Sequence, residues 1–274
     1  MCCACLFPTR KSSSRVKRWK FVVGVALMLA AASLCAGSGL AAQKGEILVS
    51  AAISLKNAFE ELGSIYEKQT GVRVRFNLGA SGLLQKQIET GAPVDVFASA
   101  GEKQMDELES KGLIISETRR NFTRNTLVLL VPAHSGISLH SFADLARADI
   151  ARVAIGNPKT VPAGQYAQEA LKNLSLWDVL QPRLVLAENV RQVLDYVTRG
   201  EVEAGIVYAS DLAEVHGEAT VAAYAPEESH APIQYPIAVV RETRNLMEAQ
   251  GFIELVLSST GQAILKKCGF GAIR

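Results

Sequence analysis

The chain has 274 residues, 49% of them hydrophobic and 20% charged, with a formal net charge of +2 at pH 7. That basicity sits at the N-terminus, where residues 1–20 carry six basic residues and no acidic one. Without those six, 23 basic residues face 27 acidic ones, which excludes the basic footprint of a nucleic-acid-binding protein.

In chain order, the basic start is followed by FVVGVALMLAAASLCA, Phe21 to Ala36, with no charge. A basic stretch before an apolar run predicts a secretory signal peptide. Gly39-Leu40-Ala41 supplies a small-x-small cleavage site, so residues 1–41 are expected to be removed. The alternative is a membrane anchor. The uncharged run to Gln43 is long enough to span, but its later part is Gly, Ser and Ala. Lipid attachment at Cys35 is disfavoured by Leu34, which is bulky for such a signal. Cys2, Cys3, Cys5 and Cys35 leave with the signal, and Cys268 alone cannot form an intrachain disulfide.

The remaining chain alternates short β-rich runs with helical spacing. Strands are predicted at 46–52, 72–78, 94–98, 126–132, 152–156, 183–187, 204–208, 221–225 and 235–240. Helices are predicted at 55–66, 83–89, 103–109, 142–146, 166–174, 190–198, 246–257 and 262–267. This alternation predicts an α/β fold with a mostly parallel sheet and flanking helices. The strand, small-residue loop, helix pattern occurs on both sides of TLVLLVP (126–132), and the length exceeds that of one usual core. Two lobes are therefore expected, the second (126–230) inserted between two parts of the first (42–125 and 231–274).

Four of these strands end in loops of similar composition: AAISL, GASGLL, NPKTVPAGQY and AENVRQV. Each opens a helix, and Ser54, Ser81 and Asn189 are residues that ordinarily cap one. Taken together, helix starts carry free N–H groups and partial positive charge. Four of them, in parallel positions at the carboxyl ends of strands, predict an anion site built without cationic side chains. Ala163 and Gly164 present little bulk over their N–H groups, so a ligand can approach the backbone.

The chain is thin in catalytic reagents, and no enzyme activity is expected. His134, His140, His216 and His230 fall in loops or charged stretches with no metal-binding spacing, and are expected to be solvated. GASGL departs from a nucleophile elbow, because Leu83 stands where the second glycine belongs. Asp95, entering a short apolar strand, is expected to be structural.

AAISLKNAF, GASGLLQKQIETGAPVDVFASA, NPKTVPAGQYAQEAL, LAENVRQVLDYVTRGEVEAGIVYASD and YPIAVV together resemble the periplasmic molybdate-binding proteins, the substrate-binding components of ABC importers. The resemblance covers residues 45–270. It implies a two-lobed periplasmic binding protein fold that closes on a tetrahedral oxyanion. It also implies a periplasmic monomer that serves an inner-membrane ABC permease and needs no cofactor beyond its molybdate or tungstate ligand. Molybdenum would be held only as its oxyanion, with no bare-cation metal site. The implied oxyanion-binding residues are Ser54, Ser81, Ala163, Val190 and Tyr208, with hydroxyls and backbone N–H groups as donors. Two departures stand out: Gly82, where relatives often carry another serine, and Asn189, where they often carry aspartate. The alternatives are a binding protein for sulfate, thiosulfate or phosphate and, from another class, a secreted α/β hydrolase.

Overall fold

The run EILVSAA forms β1 (Glu46–Ala52), whose last four residues are all buried. A strand buried on both faces belongs inside an α/β sheet rather than on a solvated one. The computed structural model describes residues 45–273, which fall within one compact body. The expected signal peptide, with its four cysteines, lies outside the described residues.

From β1 the chain continues through β2 (Arg73–Gly79), β3 (Val96–Ala98) and β4 (Arg120–Asn125). It then enters β5 (Leu127–Pro132), β6 (Val153–Gly156), β7 (Leu184–Ala187), β8 (Ala204–Tyr208) and β9 (Ala219–Tyr224), and ends its strands with β10 (Ile233–Val239). These make two five-stranded sheets, ordered β2-β1-β3-β10-β4 and β7-β6-β8-β5-β9. β1 is parallel to β2 and β3, while β10 is antiparallel to β3 and β4. The second sheet repeats the scheme, with β6 parallel to β7 and β8, and β5 antiparallel to β8 and β9. Four strands of each sheet thus point one way and one is reversed, which is the two-lobed, mostly parallel α/β fold predicted above.

The helices are α1 (Lys56–Thr70), α2 (Ser81–Glu89), α3 (Glu102–Ser110), α4 (Pro162–Asn173), α5 (Trp177–Leu180), α6 (Val190–Thr198), α7 (Leu246–Leu257) and α8 (Ser259–Lys267). In the first lobe, Phe59 of α1 meets Phe122 of β4 at 5.9 Å and Phe252 of α7 at 5.7 Å between ring centroids. Such pairs are worth about 0.5–1.5 kcal/mol beyond their buried area. They pin the early and late parts of the chain together. In the second lobe, Leu127, Leu129, Ile155, Leu171, Val193 and Ile206 are fully buried.

Asp95 has the structural role expected of it. Its carboxylate accepts from the Leu48 N–H at 2.7 Å, the Thr243 hydroxyl and the Asn245 side-chain amide. Cys268 is half-buried against the core after α8. His134, His140 and His216 are exposed as expected, whereas His230 is half-buried, with its ring 6.0 Å from that of Tyr166. No helix among the described residues is long and apolar enough to cross a membrane.

Candidate functional site

The carboxyl ends of β1, β2, β3, β6, β7 and β8 face one another across the cleft between the sheets. Their loops line a small, tight pocket. Ser54, Ser81, Ala163, Val190 and Tyr208 all line it, together with Ala52, Ile53, Gly79, Ala80, Ala100, Val161, Pro162 and Asn189. None of these carries a charged side chain. All five residues expected from sequence are therefore brought together, each at most 3% exposed.

The two serines do not act as helix caps. Ser54 lies in a 3₁₀ turn, Ile53–Leu55, before α1, and Ser81 is the first residue of α2; neither helix start has a side-chain capping bond. Their acceptor sides are occupied instead. The Ala100 N–H donates to Ser81 Oγ at 3.0 Å, which leaves the Ser81 hydrogen for the cavity. Ser54 Oγ lies 3.1 Å from the Tyr235 hydroxyl, and the direction of that bond follows from Asn125. The Asn125 side-chain oxygen accepts the N–H groups of Thr126 and Ser210, so its NH₂ donates to the Ser210 hydroxyl at 2.8 Å and to the Tyr235 hydroxyl at 3.1 Å. Tyr235 is fully buried, and with its oxygen accepting from Asn125 it donates its own hydrogen to Ser54 Oγ. The Ser54 hydrogen is thereby freed toward the cavity.

Two donors come from the backbone of the second lobe. Ala163 is in the first turn of α4, behind Pro162, and Val190 opens α6. First-turn N–H groups have no intrahelical acceptor, and these two have no hydrogen-bond partner among the described residues. Asn189 does cap α6, its side chain accepting from the Gln192 N–H at 3.1 Å. Gly164 serves a purpose other than ligand approach. A Cβ there would sit 1.9 Å from the Gly156 carbonyl oxygen, so glycine is what allows α4 to pack on the end of β6.

Tyr208 ends β8 and donates its phenol to the Ala100 carbonyl, 3.0 Å away in the other lobe. Burial, with smaller contributions from Tyr235, Tyr166 and Asp211, holds this phenol well above its ordinary pKa, so it remains a donor at any physiological pH. Its own N–H donates to buried Asp211 at 3.1 Å. Asp211 also faces Arg191 at 3.0 Å, and Arg191 reaches Glu214 at 3.2 Å. The cation next to Val190 is thus compensated by two carboxylates and turned away from the cavity. Sequence reasoning missed Ala100, Asn125 and Tyr235. Tyr235 lay in the predicted strand YPIAVV, where nothing distinguished its hydroxyl from that of a core tyrosine.

The arrangement can hold a small anion by four helix or turn starts and a set of neutral donors. It offers no nucleophile paired with a base, and the described residues contain no cluster of three or more His, Cys, Asp or Glu placed to hold a metal ion. Residues 47–271 match the family of bacterial extracellular solute-binding proteins. The chain is 38% identical to the molybdate-binding protein ModA of Escherichia coli, over 88% of its own length and 95% of that protein. Among solved structures, it resembles the periplasmic molybdate-binding protein of Azotobacter vinelandii with a TM-score of 0.75 and 27% identity, over 83% of this chain and 100% of that one. The sulfate-binding protein SubI of Mycobacterium tuberculosis, 15% identical with a TM-score of 0.74 over 84% of this chain and 87% of that one, shares the fold alone.

Proposed function

We propose that this chain, which belongs to the bacterial extracellular solute-binding proteins, binds molybdate, and tungstate equally, in the periplasm and delivers it to an ABC permease in the inner membrane. The observation that carries the proposal is the donor set. Two serine hydroxyls have their acceptor sides occupied, and two helix-start N–H groups are unpartnered among the described residues. All four face a buried cavity lined by no charged side chain.

Molybdate is a dianion that carries no proton near neutral pH, so it accepts hydrogen bonds and donates none. Each bond to it contributes roughly 1.5–3 kcal/mol net, and several must act together to offset the cost of stripping its water. Tyr208 completes the set by exchanging the Ala100 carbonyl for a ligand oxygen. A protonated phosphate would need an acceptor, and Asp211, the nearest buried carboxylate, is engaged by the Tyr208 N–H and Arg191 rather than lining the cavity. Sulfate has the same charge as molybdate but is smaller, so rigid donors spaced for the larger anion leave it underbonded. The protein is exported by the signal peptide at residues 1–41, works as a monomer without a cofactor and performs no covalent chemistry. Calorimetric titration of the mature chain with molybdate, tungstate, sulfate and phosphate tests the assignment. Tight binding of the first two and weak binding of the others is expected; preference for sulfate would reassign the ligand.

A further inference from the structure

On the reading that the two lobes close around an oxyanion, we propose that Gly82 sets how far they close. Gly82 is the second residue of α2, next to Ser81. Its N–H donates to the carbonyl oxygen of Thr160, 2.9 Å away. Thr160 stands just before α4 in the other lobe, so this bond crosses the cleft beside the cavity. Other bonds also cross the cleft, from Tyr208 to Ala100 at 3.0 Å and from Gln104 to Gln165 at 3.2 Å. Each of those uses at least one side chain that can rotate. Between Gly82 and Thr160 both partners are backbone, and neither can swing aside.

The contact leaves no room for a side chain. A Cβ on Gly82 would lie 2.6 Å from the Thr160 oxygen and 2.9 Å from its Cα, far inside the ordinary carbon contact of about 3.5–4.0 Å. Glycine is not demanded here by backbone conformation, since Gly82 is not among the residues of positive φ, and a helix favours alanine over glycine. What Gly82 faces is therefore the reason for it. In this chain a larger residue would hold the first turn of α2 away from Thr160. Because Ser81 belongs to that turn, its hydroxyl would be drawn away from the Ala163 and Val190 N–H groups opposite. Gly82 thus acts on binding without touching the ligand, by bringing the two halves of the donor set to one spacing.

Gly82→Ala tests this, studied beside the parent chain by molybdate calorimetry, ligand-free melting and small-angle X-ray scattering with and without molybdate. Gly82→Ala is expected to melt, without ligand, at or above the parent temperature. It should bind molybdate at least tenfold more weakly and contract less when molybdate is added. Parent-like affinity and contraction in Gly82→Ala would overturn the inference. So would a lower ligand-free melting temperature with unchanged affinity, which would assign the glycine to packing alone. If the parent chain itself bound no molybdate, the functional assignment would fail instead, and the two failures are told apart by that control.

Discussion

The phenol of Tyr208 donates to the carbonyl oxygen of Ala100 at 3.0 Å, so the last residue of β8 is tied to the loop after β3 in the opposite lobe. Ala100 also spends its N–H on Ser81, and one short backbone segment thereby positions two of the proposed donors. Tyr208→Phe keeps the ring and removes the hydroxyl. Molybdate affinity is expected to fall by roughly 1.5–3 kcal/mol, while ligand-free stability falls by only about 1 kcal/mol, the worth of a neutral hydrogen bond. Titration paired with ligand-free melting checks both numbers. Full affinity in a destabilised variant would make the phenol a clasp between the lobes and nothing more.

The serines should behave alike in the same pair of measurements. Ser54→Ala and Ser81→Ala are each expected to weaken molybdate binding by roughly 1.5–3 kcal/mol. Neither caps a helix, so no capping loss is added. Each change also strands a buried donor, the Ala100 N–H in Ser81→Ala and the Tyr235 hydroxyl in Ser54→Ala, and should lower ligand-free stability by about 1–3 kcal/mol. Unchanged affinity in both variants would refute their role as ligands.

Asp211 makes stability pH-dependent in an unusual direction. Burial, opposed by the Arg191 charge and the Tyr208 N–H, raises its pKa from 3.8 to about 6. Between those values the folded protein keeps a proton that the unfolded chain has lost. The contribution is therefore fully present below about pH 4 and is lost as pH rises through about 6, by about 3 kcal/mol in all. Asp211→Asn should remove this slope, which chemical denaturation at several pH values between 4 and 7 measures directly. An identical slope in Asp211→Asn would assign the dependence to other groups.

Gly164→Ala is expected to be costly although it is a helix position. The new methyl carbon would meet the Gly156 carbonyl at 1.9 Å, and overpacking of this kind costs about 1–3 kcal/mol or more. The shift it forces on α4 also displaces the Ala163 N–H, so both the melting temperature and the molybdate affinity should drop. A melting temperature equal to the parent's would mean that α4 has room to move away.

Much of the fold was legible where a segment's own pattern matched its environment. Residues 46–52, 190–198, 204–208 and 246–257 form the predicted elements with the predicted bounds. β4 was missed because RNFTRN buries only Phe122 and Thr123 and sits at a sheet edge. Its strand character comes from pairing with β10, more than a hundred residues later in the chain. α4 begins at Pro162 rather than 166, a start hidden in the sequence because Val161 is not a capping residue, and α5 is a single turn too short to show a period. The donors at the cavity could be listed from their loops and from family likeness. Their orientation could not, because it depends on Asn125 bonding to Tyr235 and Tyr235 to Ser54, contacts made only when β10 takes its place in the first sheet.

The reversed strand of each sheet also dictates an order of assembly. β5 through β9 are contiguous, so the second sheet can complete itself as soon as residue 224 is available. The first sheet cannot, because β10 must return to fill the gap between β3 and β4. Closing that long loop is the high-contact-order step, so the second sheet is expected to complete before the first, against the usual N-terminal-first sequence. A polypeptide halted before Ile233 would carry a finished inner lobe and two naked strand edges, on β3 and β4, open to pairing with the wrong neighbour.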